Sequence, residues 1–139
     1  MGRNDVSARC GVIEECYEFL LAYAGQGLSG KENSQASSQV REFLNGAVAA
    51  LSGLVDSYAG TVKEENLQPA ERYLVFLEVL EKDAGASLAS IQLVLAQPTI
   101  SSQLIDNLNA SIHLRALLTD LFLVDEILKP QQVASQPPQ

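Results

Sequence analysis

The sequence predicts an all-α protein, built as one antiparallel four-helix bundle. Four separate segments repeat apolar residues at steps of three or four, and most Gly and Pro residues fall outside those segments. No segment alternates apolar and polar residues for long enough to form a strand. With 139 residues and a hydrophobic fraction of 47%, the chain is expected to form a single domain over residues 1–129.

The first helix is predicted over residues 5–24. Its apolar stripe runs from Val6 to Leu20, and three glutamates lie on the opposite face. Cys10 and Cys16 are six positions apart, which is about 9 Å along a helix and beyond the ~7 Å Cα separation that a disulfide tolerates. The two thiols are therefore predicted to be buried, reduced, small apolar groups.

The next segment, residues 25–37, is rich in Gly, Ser, Asn and Gln, and we expect a mobile loop there. The second helix is predicted over 38–59. The third is predicted over 69–96, because Pro69 suits the first turn of a helix and the apolar stripe keeps its phase through Gly85.

The fourth helix is predicted over 102–128, and it is apolar on two opposite faces, so both faces need cover. One face carries Ile105, Leu108, Ile112, Ala116, Leu123 and Ile127. The other is predicted to be the contact surface of a homodimer, because a patch of that size on a monomer favours aggregation: Leu114, Leu117, Leu121, Val124 and Leu128. Residues 130–139 are mostly Gln, Pro and Ser and have no core to join, so a disordered C-terminal tail is expected.

The charge balance excludes some partners. The formal net charge is -8, and the nine Lys and Arg residues form no run or stripe. A polyanion would be repelled, so neither nucleic acid nor an anionic membrane is expected to bind. The start of the chain lacks the pattern of a secretory signal, and no stretch reaches the ~20 apolar residues of a membrane span. A cytoplasmic protein is predicted.

One segment matches phosphate-binding motifs by letter. Residues 25–31 read GQGLSGK, which fits GxGxxG and most of the P-loop pattern. The hydroxyl that a P-loop places on magnesium is replaced by Glu32, whose carboxylate would repel phosphates. The preceding segment is helical rather than a buried strand, so we interpret the segment as a linker.

His113 is the only histidine, which excludes sites that need two imidazoles from one chain, including the di-iron bundles. The segment His113–Thr119 resembles the histidine box of sensor kinase dimerisation domains, without the acidic residue after the histidine and without the helix-bending proline. The resemblance implies an alternative function, a phosphotransfer or signalling bundle with His113 as phosphoacceptor.

The residues offer no nucleophile and base pair, no metal cluster and no phosphate cradle, which favours a protein that is not an enzyme and needs no cofactor. The sequence therefore predicts a non-catalytic protein-protein interaction module: an adaptor, regulatory or chaperone-like bundle that acts as a homodimer and binds another protein. A further alternative is a bundle that holds an apolar ligand or tetrapyrrole between its helices.

Overall fold

The computed structural model describes residues 2–32 and 35–134, and the all-α class is confirmed for them. Six helices are present in this part of the chain, and no strand. They are α1 (Arg3–Ala24), α2 (Gln35–Ser52), α3 (Leu54–Glu64), α4 (Ala70–Leu95), α5 (Ser102–Ala110) and α6 (Ile112–Ala134). None of the described helices has the length and apolar character that crossing a bilayer requires.

The predicted second helix, 38–59, is two helices in the structure. Gly53 separates α2 from α3 with φ -120° and ψ 5°. The Arg9 side chain of α1 occupies this corner, with its guanidinium carbon 2.7 Å from the point where a Cβ of Gly53 would lie. Arg9 donates hydrogen bonds to the carbonyls of Ala49 and Ala50, at 3.3 and 3.1 Å. A contact from a different helix thus satisfies carbonyls that the break leaves without partners.

The predicted fourth helix, 102–128, is also divided. Ser111 adopts φ -58° and ψ 131°, so α5 ends one residue before it and α6 begins one residue after it. The buried hydroxyl of Ser87, on α4, donates to the His113 carbonyl at 2.9 Å. The side-chain amide of Asn109 donates to the Leu20 carbonyl of α1 at 3.1 Å. Each side of the break is therefore attached to a different neighbouring helix.

The other two predicted helices are confirmed within one or two residues. The first begins at Arg3 rather than at residue 5. The third, α4, follows Pro69 and continues through Gly85, which has open space where a Cβ would lie. With six helices the structure is a helical bundle, but α2 to α3 and α5 to α6 each replace one straight helix of the four that were predicted.

The bundle is organised around α1 and α4. The helix α1 contacts α2, α3, α5 and α6, and α4 contacts α2, α3, α5 and α6. Aliphatic side chains from every helix form the core, together with two buried tyrosines, Tyr23 and Tyr58. Their burial accounts for most of the stabilisation that this fold receives from the hydrophobic effect.

The segment predicted to be a mobile loop, 25–37, is anchored where the structure describes it. Leu28 and Ser102 are joined twice: the Ser102 amide donates to the Leu28 carbonyl at 2.8 Å, and the Leu28 amide donates to the Ser102 hydroxyl at 2.9 Å. Residues 35–37 already belong to α2. Residues 33 and 34 lie outside the described part of the chain.

The predicted disordered tail, 130–139, starts inside a helix, because α6 continues past Pro130 to Ala134. Residues 135–139 of that tail lie outside the described residues.

Candidate functional site

The two apolar faces of α6 are placed in the opposite way from the prediction. The five residues predicted as a dimer contact are in the core of their own chain, with 0 to 6% of each exposed: Leu114, Leu117, Leu121, Val124 and Leu128. Ile112, Leu123 and Ile127, from the face expected to be buried, are exposed by 74%, 48% and 39%. Because α6 packs on α4, α5 and α1 within one chain, the stripe from Leu114 to Leu128 needs no second copy to cover it.

The exposed side of α6 borders an apolar groove of about 300 Å³. The walls come from the N-terminal half of α4 and the C-terminal half of α6, and the buried Tyr58 of α3 is also part of its lining. Among the side chains that the structure describes, Arg72 is the one charged residue that lines it. The other lining residues are apolar or aromatic, and Val124 among them belongs to the predicted dimer contact: Pro69, Tyr73, Phe76, Leu123, Val124 and Ile127.

Apolar side chains also protrude beside this groove. Val75 and Val79 are one turn apart on the flank of α4 next to Phe76, and they are 60% and 44% exposed. Leu123 and Ile127 are likewise one turn apart on α6. One surface therefore offers both a cavity and side chains that could fill a cavity. We call this surface the α4–α6 groove.

The sequence carried a signal for this groove that the prediction did not use. The stripe of the third predicted helix contains Tyr73 and Leu77, and it leaves out Val75, Phe76 and Val79. An apolar set outside the core stripe of an amphipathic helix marks a second surface that needs cover. Its position beside Leu123 depends on the way α4 and α6 pack, which periodicity does not report.

A pair of carboxyl groups joins the same two helices next to the groove. Asp120 on α6 is only 8% exposed, and its Oδ2 has no hydrogen-bond donor among the described residues. Burial, a side-chain hydrogen bond with Asp83 of α4, and repulsion by the Asp83 charge together raise the pKa of Asp120 to about 7. Two carboxyl groups can form such a hydrogen bond only when one of them is protonated. Asp120 therefore keeps its proton up to about pH 7, and this proton is the one that the hydrogen bond to Asp83 requires.

We expect the free energy of unfolding to fall as the pH rises from about 4 to about 7. Asp120 keeps its proton in the folded state up to about pH 7, whereas an unfolded aspartate loses it near the ordinary value of 3.8. The folded state thus binds more protons in this window, and the slope approaches about 1.4 kcal/mol per pH unit. Urea unfolding of the Asp120→Asn variant should show a smaller slope and higher stability than the wild type at pH 8. An equal slope in both proteins would contradict the assignment.

In the segment that resembles a P-loop, the carboxylate of Glu32 takes the place that a phosphate would occupy. The Glu32 carboxylate accepts hydrogen bonds from the Ser29 and Gly30 amides, at 3.0 and 2.9 Å, and from the Ser29 hydroxyl at 3.1 Å. These bonds, the backbone bond from Ser29 foremost, lower the pKa of Glu32 to about 2. The amides that would face a phosphate in a P-loop are therefore occupied by a side chain that is charged at neutral pH.

His113, the alternative phosphoacceptor, is exposed in the first turn of α6. Its amide donates to the Ser111 hydroxyl at 3.3 Å. The described groove lining does not include His113, so no imidazole is available there as a ligand to a haem iron. Its volume is also at the lower end of the ~300–1,000 Å³ range of ligand pockets. Phosphotransfer through His113 stays a prediction.

The two cysteines are buried and free, as expected from their spacing. Burial raises the pKa of each thiol to about 12, so neither is a thiolate at neutral pH. Among the described side chains, no three His, Cys, Asp or Glu residues lie close enough together to hold a metal ion.

The chain matches no protein-family model, no curated protein and no solved structure, so its function has to be inferred from its own residues.

Proposed function

We propose that this chain is a non-catalytic protein-protein interaction module that associates with a second copy of itself through the α4–α6 groove. One observation carries the proposal: the groove and the side chains that protrude beside it lie on the same surface. A two-fold symmetric dimer uses one patch of each copy, and that patch must be complementary to itself. The α4–α6 groove meets this condition, because the protruding side chains of one copy can enter the cavity of the other.

The expected association is weak. Complete burial of a Val, Leu or Ile side chain stabilises by about 1.5–3 kcal/mol, and roughly half of each protruding side chain is already covered, so each contributes on the order of 1 kcal/mol. Four such side chains per copy oppose an association cost of roughly 4–15 kcal/mol. We therefore expect a dimer that forms and dissociates with concentration, as suits a regulatory or adaptor protein.

The Leu123→Lys variant tests the proposal. A charge placed at the wall of the groove would have to lose its water in the dimer, which is costly, so this variant should be monomeric. Sedimentation velocity over a range of concentrations should give a wild-type mass that rises from 14.9 kDa toward twice that value. Leu123→Lys should remain at the monomer mass throughout.

A matched control is available on α1. Leu21 is 50% exposed, close to the 48% of Leu123, and it does not line the groove. The Leu21→Lys variant should dimerise like the wild type. A wild-type mass of one chain at every concentration would overturn the proposal, and loss of the dimer in both variants would place the contact elsewhere.

Salt gives an independent check. Each copy carries a formal net charge of -8, and the two copies repel one another. Raising the ionic strength from about 0.15 M to about 1 M shortens the screening length from about 8 Å to about 3 Å, so the dimer should become tighter. A contact held by ion pairs would weaken instead.

Another protein with an apolar helix would compete for the same groove, which would give the chain an adaptor or chaperone-like role.

A further inference from the structure

The Asp83–Asp120 pair lies in line with the groove. On α6, Leu123 follows Asp120 by one turn and Ile127 follows it by two, all on one flank of the helix. On α4, Phe76 precedes Asp83 by two turns on the same flank. The carboxyl pair therefore joins α4 to α6 at the end of the groove that these residues line.

We infer that the hydrogen bond between Asp120 and Asp83 holds α4 against α6, and that its loss opens the α4–α6 groove. The inference concerns regulation of the proposed dimer surface, and its meaning for association rests on the proposed function. The opening itself is a property of one chain.

The physical basis is the lack of any other partner for the second charge. When both carboxyls are ionised, two negative charges face each other with Asp120 buried, and like charges at hydrogen-bonding distance repel strongly. The Asp120 Oδ2 has no donor among the described residues that could replace the lost hydrogen bond. Moving the helices apart admits water to the buried Asp120 carboxyl.

The other charged groups on the surrounding elements do not relieve this repulsion. On α4 the neighbours of Asp83 are Glu81 and Lys82, both exposed, and the exposed Arg72 of the groove lies three turns before it. On α6, His113 and Arg115 are exposed one to two turns before Asp120. The helix α5 contributes Asp106, which is exposed, and α1 contributes Arg3, which is bound to Glu65 and to the Leu128 carbonyl. Asp83 is the only charged group among the causes of the Asp120 shift.

The size of the effect follows from proton linkage. If the open form gives Asp120 an ordinary aspartate environment, opening releases a proton at every pH between about 4 and about 7. The open population then rises about tenfold per pH unit in that window and levels off above it. Ionisation thus acts as a switch near neutral pH.

Amide hydrogen exchange of the intact chain measures this opening. After correction for the intrinsic exchange rate, protection of amides around Leu80 in α4 and Leu121 in α6 should fall about tenfold per pH unit from about pH 5 to about pH 7. Amides of α1 and α2 should stay more protected than those of α4 and α6 at each pH, because they exchange only when the whole chain unfolds. The slope should vanish in the Asp120→Asn variant, whose side chain can donate to Asp83, and remain in the control Asp106→Asn.

Three outcomes would overturn the inference: protection that does not depend on pH in the wild type, an equal slope in Asp120→Asn, or equal protection of the amides in all helices at every pH. A carboxyl ¹³C titration of the unmodified chain covers the case in which Asp120→Asn does not fold. It should give one aspartate that titrates near pH 7 and moves to lower pH in Asp83→Asn, whose amide would donate to Asp120.

The dimer is measured separately, by sedimentation at pH 6 and pH 8. A chain that opens with pH and never dimerises would refute the proposed function and leave the switch in place. A dimer whose α4 and α6 amides show no dependence on pH would refute the switch and leave the proposed function in place.

Discussion

Replacing Leu117 by Ala is expected to destabilise the protein by about 2–5 kcal/mol. Leu117 is fully buried in the core face of α6, and its truncation removes apolar contacts and leaves a cavity that the surrounding side chains fill only in part. Urea unfolding followed by circular dichroism measures the change. It should be done at a concentration low enough for the monomer, so that unfolding is not coupled to association.

The matched control is Leu123→Ala on the opposite face of the same helix. Leu123 is about half exposed, so its truncation should change the free energy of unfolding of the monomer by no more than about 0.5 kcal/mol. If Leu123→Ala is the more destabilising of the two, α6 is rotated relative to this structure, and the face that includes Leu117 is the free one.

Gly30→Ala is the second change with a large expected effect. Gly30 has φ +89°, where an L-residue is strained by about 1–2 kcal/mol. A Cβ on Gly30 would also lie 2.7 Å from the carbonyl carbon of Ile100. The Ile100 carbonyl accepts a hydrogen bond from the buried Tyr23 hydroxyl at 2.6 Å, and such a bond is worth about 1 kcal/mol. We expect a loss of about 2–3 kcal/mol in thermal or urea unfolding.

Gly27→Ala separates backbone strain from crowding. Gly27 also has a positive φ, +68°, but nothing lies within 4 Å of its would-be Cβ. This variant should lose only about 1 kcal/mol, the cost of strain alone. Equal losses in both variants would mean that the contact between Gly30 and Ile100 is absent, and that residues 25–32 form the mobile loop that their composition favours.

The helical class could be predicted because apolar periodicity is a local property of the chain. The helices α1 and α4 were placed within two residues, since each has one clear stripe and a clear break at each end. The breaks at Gly53 and Ser111 lie inside stripes that continue in phase, so periodicity gave no sign of them. Arg9 stabilises the first break and Ser87 the second, and each of them is far from its break along the chain.

The candidate site was also predictable only where it depends on local sequence. The sequence identified α6 as apolar on two faces and indicated that an apolar surface would need cover. It also revealed that the segment with Gly30 lacks the hydroxyl of a P-loop. The structure adds that the Ser29 and Gly30 amides donate hydrogen bonds to the Glu32 carboxylate. The carboxyl pair was not predictable, because Asp83 and Asp120 are 37 positions apart and each alone resembles a surface charge.

By itself, the sequence determined the helical class, the approximate places of the helices, the apolar composition of the core and the net charge, all of which depend on residue type and short spacing. The tertiary structure decided which face of α6 is buried, where Leu123 and Phe76 form a groove, and which two carboxyls lie next to each other. The reason is that burial depends on how helices rotate against one another. A helix with two equally apolar faces satisfies its own periodicity in either orientation, so only the packing of α1, α4 and α5 against α6 selects one.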